Sequence, residues 1–270
     1  MVSARKHRFG FLSTGKEIMK YLCALAGLVG MFAVPAVQAA MQVTLYQDLV
    51  NYSYGVGGEF NAVPNATLLS VNPTLAGYTA TTANSTAPYF QTFCIETGEE
   101  FSPGSTYNVT ISYNIKFDGG LFPGGSPITL GTAWLYSQFA AGTFGGYDYT
   151  GGGGRTATAG DLQQAIWYLQ GEVTGLIDGG ADGTAFYNAA VTALGGTINN
   201  AANGAYDVVA LNLWVPNEDG SNGAASQDQF MVVPDPASVV PEPSVASFGL
   251  LFLVAFGLYK ARACFRQQTT

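Results

Sequence analysis

The sequence predicts a β-rich α+β fold, an antiparallel β sandwich or barrel with two or three inserted helices. Three observations support this class. The chain of 270 residues contains 35 Gly, 15 Tyr and 17 Phe with only 10% charged residues, which is typical of folded, turn-rich domains and not of disordered chains. β-branched and aromatic segments fill the first half of the chain. Apolar residues take helical spacing only in its middle.

Strand patterns occupy the chain from Met41 to about Lys116. These segments are rich in β-branched and aromatic residues and are interrupted by Asn, Gly and Pro, which favour turns. The predicted strands are 43–46, 66–71, 89–95 and 107–117.

Helical spacing begins at about Thr129 and predicts a first helix that ends before Gly142. A second helix is predicted after the glycine-rich tract 145–154, with Thr158 as its N-cap and Asp161 as the residue that answers the cap. A third, short helix is predicted over 183–194, and strand patterns return at 206–215 and 229–233.

Residues 1–39 have the features of a secretory signal peptide. An apolar run over 22–34 follows basic residues, and Val37 and Ala39 form the small-residue pattern after which signal peptidase cleaves. A start at Met1 gives this segment five basic residues and a start at Met19 gives it one, so both starts stay open. The sequence therefore predicts export of the following domain, residues 40–233.

The C-terminal region contains a second composite signal. A proline-rich spacer at 234–244 precedes an apolar segment at 245–259, whose 15 residues make a short membrane helix of about 22 Å. The spacer contains the motif Val240, Pro241, Glu242 and Pro243. The tail 260–270 contains the basic residues Lys260, Arg262 and Arg266. Basic residues at this place are expected to stay in the cytoplasm.

The motif, the apolar helix and the basic tail closely resemble the sorting tail of PEP-CTERM proteins, the exosortase substrates of Gram-negative bacteria. The resemblance covers residues 239–266. It implies that the tail holds the exported protein in the inner membrane until an exosortase cuts near Pro241 to Pro243. The protein would then reach the cell surface or the extracellular matrix. An ordinary C-terminal membrane anchor is the alternative interpretation.

The charge distribution excludes several functions. Between Ala40 and Pro241 the basic residues are Lys116 and Arg155, against sixteen acidic residues, a net charge of −14. Nucleic acid is therefore not an expected partner, because phosphate binding needs basic residues. The single histidine, His7, precedes the exported domain, so that domain can build neither a histidine-dependent nucleophile nor a histidine-ligated zinc site. We predict no cofactor, no metal and no catalytic residue.

Cys94 is the single cysteine of the exported domain and cannot form an internal disulfide there. The segments Phe93-Cys94-Ile95-Glu96 and Leu162-Gln163-Gln164-Ala165-Ile166-Trp167 resemble the thioester domains of bacterial surface adhesins. The resemblance implies a thioester between Cys94 and Gln163, shielded by Phe93 and Trp167. It also implies covalent capture of an amine-bearing surface target. The alternative is a small buried cysteine beside an ordinary amphipathic helix.

Two classes of function are thus predicted. The first is a non-enzymatic, exosortase-sorted surface or matrix protein that is either a covalent adhesin or a passive component. The second is a secreted carbohydrate-binding or carbohydrate-active domain, suggested by the Tyr and Trp content and by acidic pairs such as Glu99 and Glu100. Neighbouring residues of a strand face opposite sides, which places that pair poorly for acid and base roles. The acidic segment 217–222 could offer oxygen ligands to calcium, although surface turns often have this composition.

Overall fold

The computed structural model describes residues 39–47, 53–54, 57–72, 89–116 and 125–233. These residues lie in a compact unit that spans Ala39–Val240. The predicted signal peptide up to residue 38, the sorting motif, the apolar segment 245–259 and the basic tail lie outside the described residues. Within the described ranges, no helix has both the length and the apolar character needed to cross a bilayer.

Antiparallel strands form the main sheet of the unit. In chain order, the first five are β1 (Gln42–Gln47), β2 (Ser53–Tyr54), β3 (Gly57–Pro64), β4 (Phe90–Phe93) and β5 (Thr106–Ser112). Strand β1 lies between β3 and β5 and buries Val43 and Leu45 from one face, as alternation along a strand requires. After the helices come a short hairpin of β6 (Ile177–Asp178) and β7 (Ala181–Asp182), and then β8 (Val208–Pro216) and β9 (Asn222–Val232).

The sheet order is β2-β3-β1-β5-β8-β9, and β4 pairs with β3. The chain beyond β4 also reaches the other end of the sheet, where Cys94 bridges Gln229 of β9 and the Ile95 N–H donates to the Asp228 carbonyl oxygen at 3.1 Å. The segment from β4 to Ile95 therefore pairs with β3 at its start and with β9 at its end. The predicted α+β class, with an antiparallel sheet and helices in the middle of the chain, is confirmed.

The described residues also include four α-helices. They are α1 (Ala66–Val71), α2 (Leu130–Ala140), α3 (Gly153–Gln170) and α4 (Thr184–Leu194). The predicted strand at 66–71 is wrong, because Asn65 caps a helix there: its side-chain oxygen accepts the Leu68 N–H at 2.9 Å. Leu68 is the buried residue of that turn and attaches it to the sheet. The local cap outweighs the β propensity of the segment.

The second predicted helix begins earlier than expected. Helix α3 starts at Gly153, after Gly152 with φ of 120°, so Thr158 is an interior residue and not the N-cap. The Thr158 hydroxyl instead accepts the N–H of Asp148 at 3.2 Å, and Asp161 accepts the N–H of Asp182 at 2.7 Å. Both side chains therefore fix neighbouring loops to the helix.

The core has two large parts and one small one. Aromatic residues of the helices, such as Tyr136 and Phe139, pack with Phe93 and Phe230 on one side of the sheet. Aliphatic residues of β1, β5 and β8 form a second cluster on the other side. The third cluster consists of Phe60, Cys94 and Trp167, with Phe101 and Val173 partly buried against it. This small cluster contains the predicted reactive cysteine.

Candidate functional site

Cys94 is completely buried at the point where the chain changes its pairing partner from β3 to β9. It directly follows β4, and its backbone bridges that of Gln229. The pairing of Phe93 with β3 and the bridge of Cys94 to β9 therefore fix the position of the cysteine backbone. The Cys94 site, as used below, comprises Cys94, the glutamines 163 and 229, the glycines 57 and 58, and Trp167.

Gln163 projects from α3 onto the backbone of Cys94. Its Oε1 accepts the N–H of Cys94 at 3.2 Å, and its Nε2 donates to the carbonyl oxygen of Cys94 at 2.7 Å. The carboxamide thus pairs with Cys94 as a neighbouring strand residue would. The structure brings together the two residues that the sequence paired across 69 positions.

The Gln163 carbonyl oxygen has a second donor. The N–H of Gly58 in β3 reaches Oε1 at 3.0 Å, so two backbone N–H groups converge on one oxygen. Gln163 is only 1% exposed, and therefore no water shell weakens these bonds. This arrangement polarises the carbonyl in the way that an oxyanion hole does.

Gly57 makes room for the close approach of α3 to β3. A Cβ at this residue would lie 2.5 Å from Cη2 of Trp167 and 2.8 Å from Cγ of Gln163. Trp167 is one turn after Gln163 on the same face of α3, as its spacing predicts. It is 8% exposed and packs in the cluster that contains Cys94.

The two predicted shielding residues lie in different places. Trp167 belongs to the cluster of Cys94, whereas Phe93 packs in the helix-side core with its ring centroid 4.8 Å from that of Phe139. Consecutive residues of a strand face opposite sides, which separates Phe93 from its neighbour. The aromatic residue that shares the cluster with Cys94 is Phe60 of β3.

A second glutamine, which the sequence analysis did not identify, contacts the thiol. Gln229 is completely buried, and its Nε2 donates to Sγ of Cys94 at 3.6 Å. Its Oε1 is buried without a hydrogen-bond partner. Burial raises the pKa of the Cys94 thiol, and the hydrogen bond from Gln229 acts in the opposite direction. Only the bridge between Cys94 and β9 brings Gln229 here, so no local motif indicates it.

Buried carboxyl groups surround the side of the site nearest β9. Glu96 accepts the Asp228 N–H through Oε2 at 2.8 Å, while its Oε1 has no hydrogen-bond partner. Burial, followed by the charge of Asp228 and more weakly those of Glu99 and Glu172, raises the pKa of Glu96. Glu172 is itself held against the N–H of Thr97 at 3.1 Å. Glu96 is therefore a neutral carboxylic acid near neutral pH.

A buried ion pair lies next to the site on β3. Glu59 is 1% exposed and binds Arg155 of α3 through both carboxylate oxygens, with Nε donating at 2.9 Å. The hydroxyl of Tyr147 donates to the same carboxylate at 2.6 Å. The pair ties α3 to β3 one residue beyond Gly58, the strand position that binds Gln163.

The acidic segment between β8 and β9 forms a tight turn. Asp219 accepts the N–H and the hydroxyl of Ser221 at 2.9 and 2.6 Å, so its carboxylate closes the turn. Among the described residues, no group of three or more His, Cys, Asp or Glu side chains is arranged to hold a metal ion. The described site contains a thiol, two carboxamides and neutralised or paired acids, which suit acyl chemistry better than metal binding.

Comparisons with family models, with curated proteins and with solved structures found no match for this chain.

Proposed function

We propose that this chain is an exported surface or matrix protein whose domain forms an internal thioester between Cys94 and Gln163 and captures an amine-bearing target covalently. One observation carries the proposal: the buried Gln163 carboxamide lies on the backbone of the single cysteine of the domain, with two N–H donors on its oxygen. An ordinary core would not require both a buried thiol and a polarised carboxamide at one place.

The proposed reaction uses only groups of this chain. Sγ of Cys94 attacks Cδ of Gln163, the C–S bond forms and the C–Nε2 bond breaks. The thiol proton passes to the departing nitrogen, which leaves as ammonia. Negative charge develops on Oε1, where the N–H groups of Gly58 and Cys94 stabilise it. In capture, a primary amine attacks Cδ, its proton passes to sulfur, and an amide bond replaces the thioester.

Gln163, and not Gln229, is the acyl donor in this proposal. The carbonyl oxygen of Gln163 accepts two backbone N–H groups, whereas that of Gln229 accepts none. Gln229 also presents its nitrogen to the sulfur, not its carbonyl group. An acyl carbon becomes electrophilic when its oxygen is polarised, so the hydrogen bonds distinguish the two amides.

The captured amine comes from another molecule. Lys116 is the single lysine between residues 40 and 241, and its Nζ lies over the Trp214 ring at 5.4 Å from the centroid. Self-capture by a lysine of the domain thus has one candidate only, which is already engaged. The net charge of −14 attracts cationic amines over roughly the 10 Å that screening allows.

The thioester is tested by the mass of the exported protein. Relative to a Cys94→Ala variant, and after correction for the substitution, wild type should be lighter by roughly 17 Da, the mass of one ammonia lost on condensation. Methylamine should then add its mass and release one thiol. Gln163→Glu should remove the deficit, and Gln164→Glu, a neighbour whose Nε2 binds the Gly175 carbonyl oxygen at 2.8 Å, should keep it. A full wild-type mass would refute the thioester.

We also propose that the C-terminal tail directs exosortase sorting after signal peptidase cleavage, with the inner membrane as a transient site. Support comes from the sequence motif at 240–243 and the apolar and basic segments that follow. Glu242→Gln should leave the tail uncut and the protein in the inner membrane. The matched control Asp235→Asn, outside the motif, should be processed normally. Wild-type localisation of the Glu242 variant would contradict the proposal.

A carbohydrate-active domain is the second candidate. Its best residues are Glu96, whose pKa is raised, and the neighbouring Glu172, because glycoside hydrolysis uses an acid and a second carboxylate. Both are buried, at 0% and 8% exposure, which disfavours contact with a polysaccharide and ranks this candidate second. Polysaccharide cleavage that disappears in Glu96→Gln and Glu172→Gln would reverse the ranking.

A further inference from the structure

The buried side chain of Gln229 is a polar group of the Cys94 site that the proposed acyl donor does not explain. Its Nε2 lies 3.6 Å from Sγ, and its Oε1 has no hydrogen-bond partner although the residue is completely buried. An unpaired buried carbonyl of this kind destabilises the folded protein. A methionine side chain has nearly the shape of glutamine and would fill the same volume without an unpaired polar atom. The interaction that distinguishes Gln229 from an apolar residue is therefore the hydrogen bond from its amide nitrogen to Sγ.

We infer that Gln229 is a positioning residue of the thioester reaction: its N–H holds the Cys94 sulfur beside Gln163 and stabilises the negative charge that sulfur carries when it attacks or leaves. The inference rests on the proposed thioester. The backbone places the donor, because Cys94, directly after β4, and Gln229 of β9 are bridged partners. Sulfur and carbonyl oxygen then have separate donors, Gln229 for the former and the Gly58 and Cys94 N–H groups for the latter.

The sulfur needs such a donor because its surroundings are apolar and acidic. Phe60 and Trp167 pack against it, and burial disfavours the thiolate. In capture, the C–S bond breaks as the amine adds, and the amine proton reaches sulfur only as the bond breaks. A fixed N–H at 3.6 Å is available throughout that step without reorganisation.

The test compares Gln229→Met with Gln227→Met in the exported full-length protein. Gln227 lies two residues earlier on the same strand, is also buried, and donates to the Glu96 carbonyl oxygen at 2.7 Å instead of to sulfur. Methylamine capture should slow by about tenfold or more in the Gln229 variant, as loss of a hydrogen bond to a charged group predicts. It should change little in the Gln227 variant. Thermal melts should show both variants folded.

A second readout separates positioning from mere packing. The rate is measured with primary amines of similar size and different basicity. If Gln229 stabilises the departing sulfur, the dependence of rate on amine basicity should steepen in Gln229→Met and stay unchanged in Gln227→Met, because C–S cleavage becomes limiting only in the former. An unchanged dependence and an unchanged rate in Gln229→Met would overturn the inference. A wild-type mass without the ammonia deficit would instead overturn the thioester itself.

Wild type provides the measurement if the Gln229 variant does not fold. Side-chain amide signals from glutamine labelled with 15N are recorded before and after methylamine opens the thioester. The Gln229 signal should shift, because its sulfur partner changes from a thioester to a thiol, and the Gln227 signal should not. Equal, small shifts at both glutamines would contradict a bond from Gln229 to the reacting sulfur.

Discussion

Two buried carboxyl groups flank the Cys94 site, and they have opposite environments. Glu59 faces a cation and a hydroxyl, since Arg155 binds both of its oxygens and Tyr147 donates to one of them. Glu96 faces other carboxyls, and its Oε1 has no hydrogen-bond partner. The Glu59 carboxylate is therefore fully paired in the core, whereas burial and the neighbouring carboxyls raise the pKa of Glu96.

The difference shows which part of the domain holds the site and which part adjusts its chemistry. The Glu59 pair joins α3 to β3, the two elements that place Gln163 and Gly58. The Glu96 side joins the segment after β4 to β9, where the sulfur lies. A charged network that is fully paired gives rigidity, and a neutral acid beside a thiol keeps additional charge away from it.

The largest expected effect is removal of the cation from the paired side. Arg155→Met leaves the Glu59 carboxylate buried without its ion-pair partner, which should lower the free energy of unfolding by about 3 to 5 kcal/mol. Urea denaturation followed by circular dichroism measures this. Lys116→Met, at the exposed lysine of the domain, should cost less than about 1 kcal/mol.

A double variant sharpens that prediction. Arg155→Met combined with Glu59→Met replaces the whole pair by apolar side chains and should recover most of the loss, because the desolvated charge is gone. If Arg155→Met were no more destabilising than Lys116→Met, the pair would not hold α3 on β3.

A middle-sized effect is expected where the two sides meet, at Gly57. Gly57→Ala places a methyl group within 2.8 Å of both Trp167 and Gln163, so one of them must move. Overpacking of this kind costs about 1 to 3 kcal/mol. The fraction of molecules with the ammonia mass deficit should fall as well, because Gln163 no longer lies on the Cys94 backbone.

Gly196→Ala is the matched control, since a Cβ there meets nothing within 4 Å. It should change neither the stability by more than about 0.5 kcal/mol nor the mass deficit. A Gly57→Ala protein with full stability and the full deficit would show that the close approach of α3 to β3 is not needed for the site.

The same contrast explains how much of the site could be predicted from sequence. Cys94, Gln163 and Trp167 have local signals, a single cysteine and a helical spacing of four, and the structure brings them together. Gln229 and Gly58 have none, because pairing of distant strands alone places them. For Phe93 the sequence predicts the wrong cluster. It neighbours Cys94 in sequence, but strand alternation turns its side chain to the helix-side core.

The fold shows the same limit. Periodicity predicted the helices at 130–140 and 184–194, whose apolar faces meet a core. It failed at 66–71, where one capping side chain decides between helix and strand. It also failed at the start of α3, where the glycines 153 and 154 are the first residues of the helix instead of preceding it. Short segments and element boundaries depend on single hydrogen bonds, which composition does not reveal.

The smallest effect is expected at Glu96, where a substitution should raise the free energy of unfolding instead of lowering it. The pKa of Glu96 is raised in the folded state, so its contribution to stability is complete below the unfolded pKa of about 4.3 and decreases as pH rises above it. Wild type should therefore lose stability between pH 5 and pH 8.

Glu96→Gln tests this directly, because a neutral amide has the shape of the protonated acid and keeps an acceptor for the Asp228 N–H. The variant should gain about 1 to 2 kcal/mol at neutral pH and lose less stability between pH 5 and pH 8, as measured by urea denaturation at each pH. Glu59→Gln should instead destabilise, since it leaves Arg155 without its carboxylate partner. The two conservative changes thus separate the sites by sign. Equal losses from both would mean that Glu96 is a charged, paired group like Glu59, and the contrast between the two sides would fail.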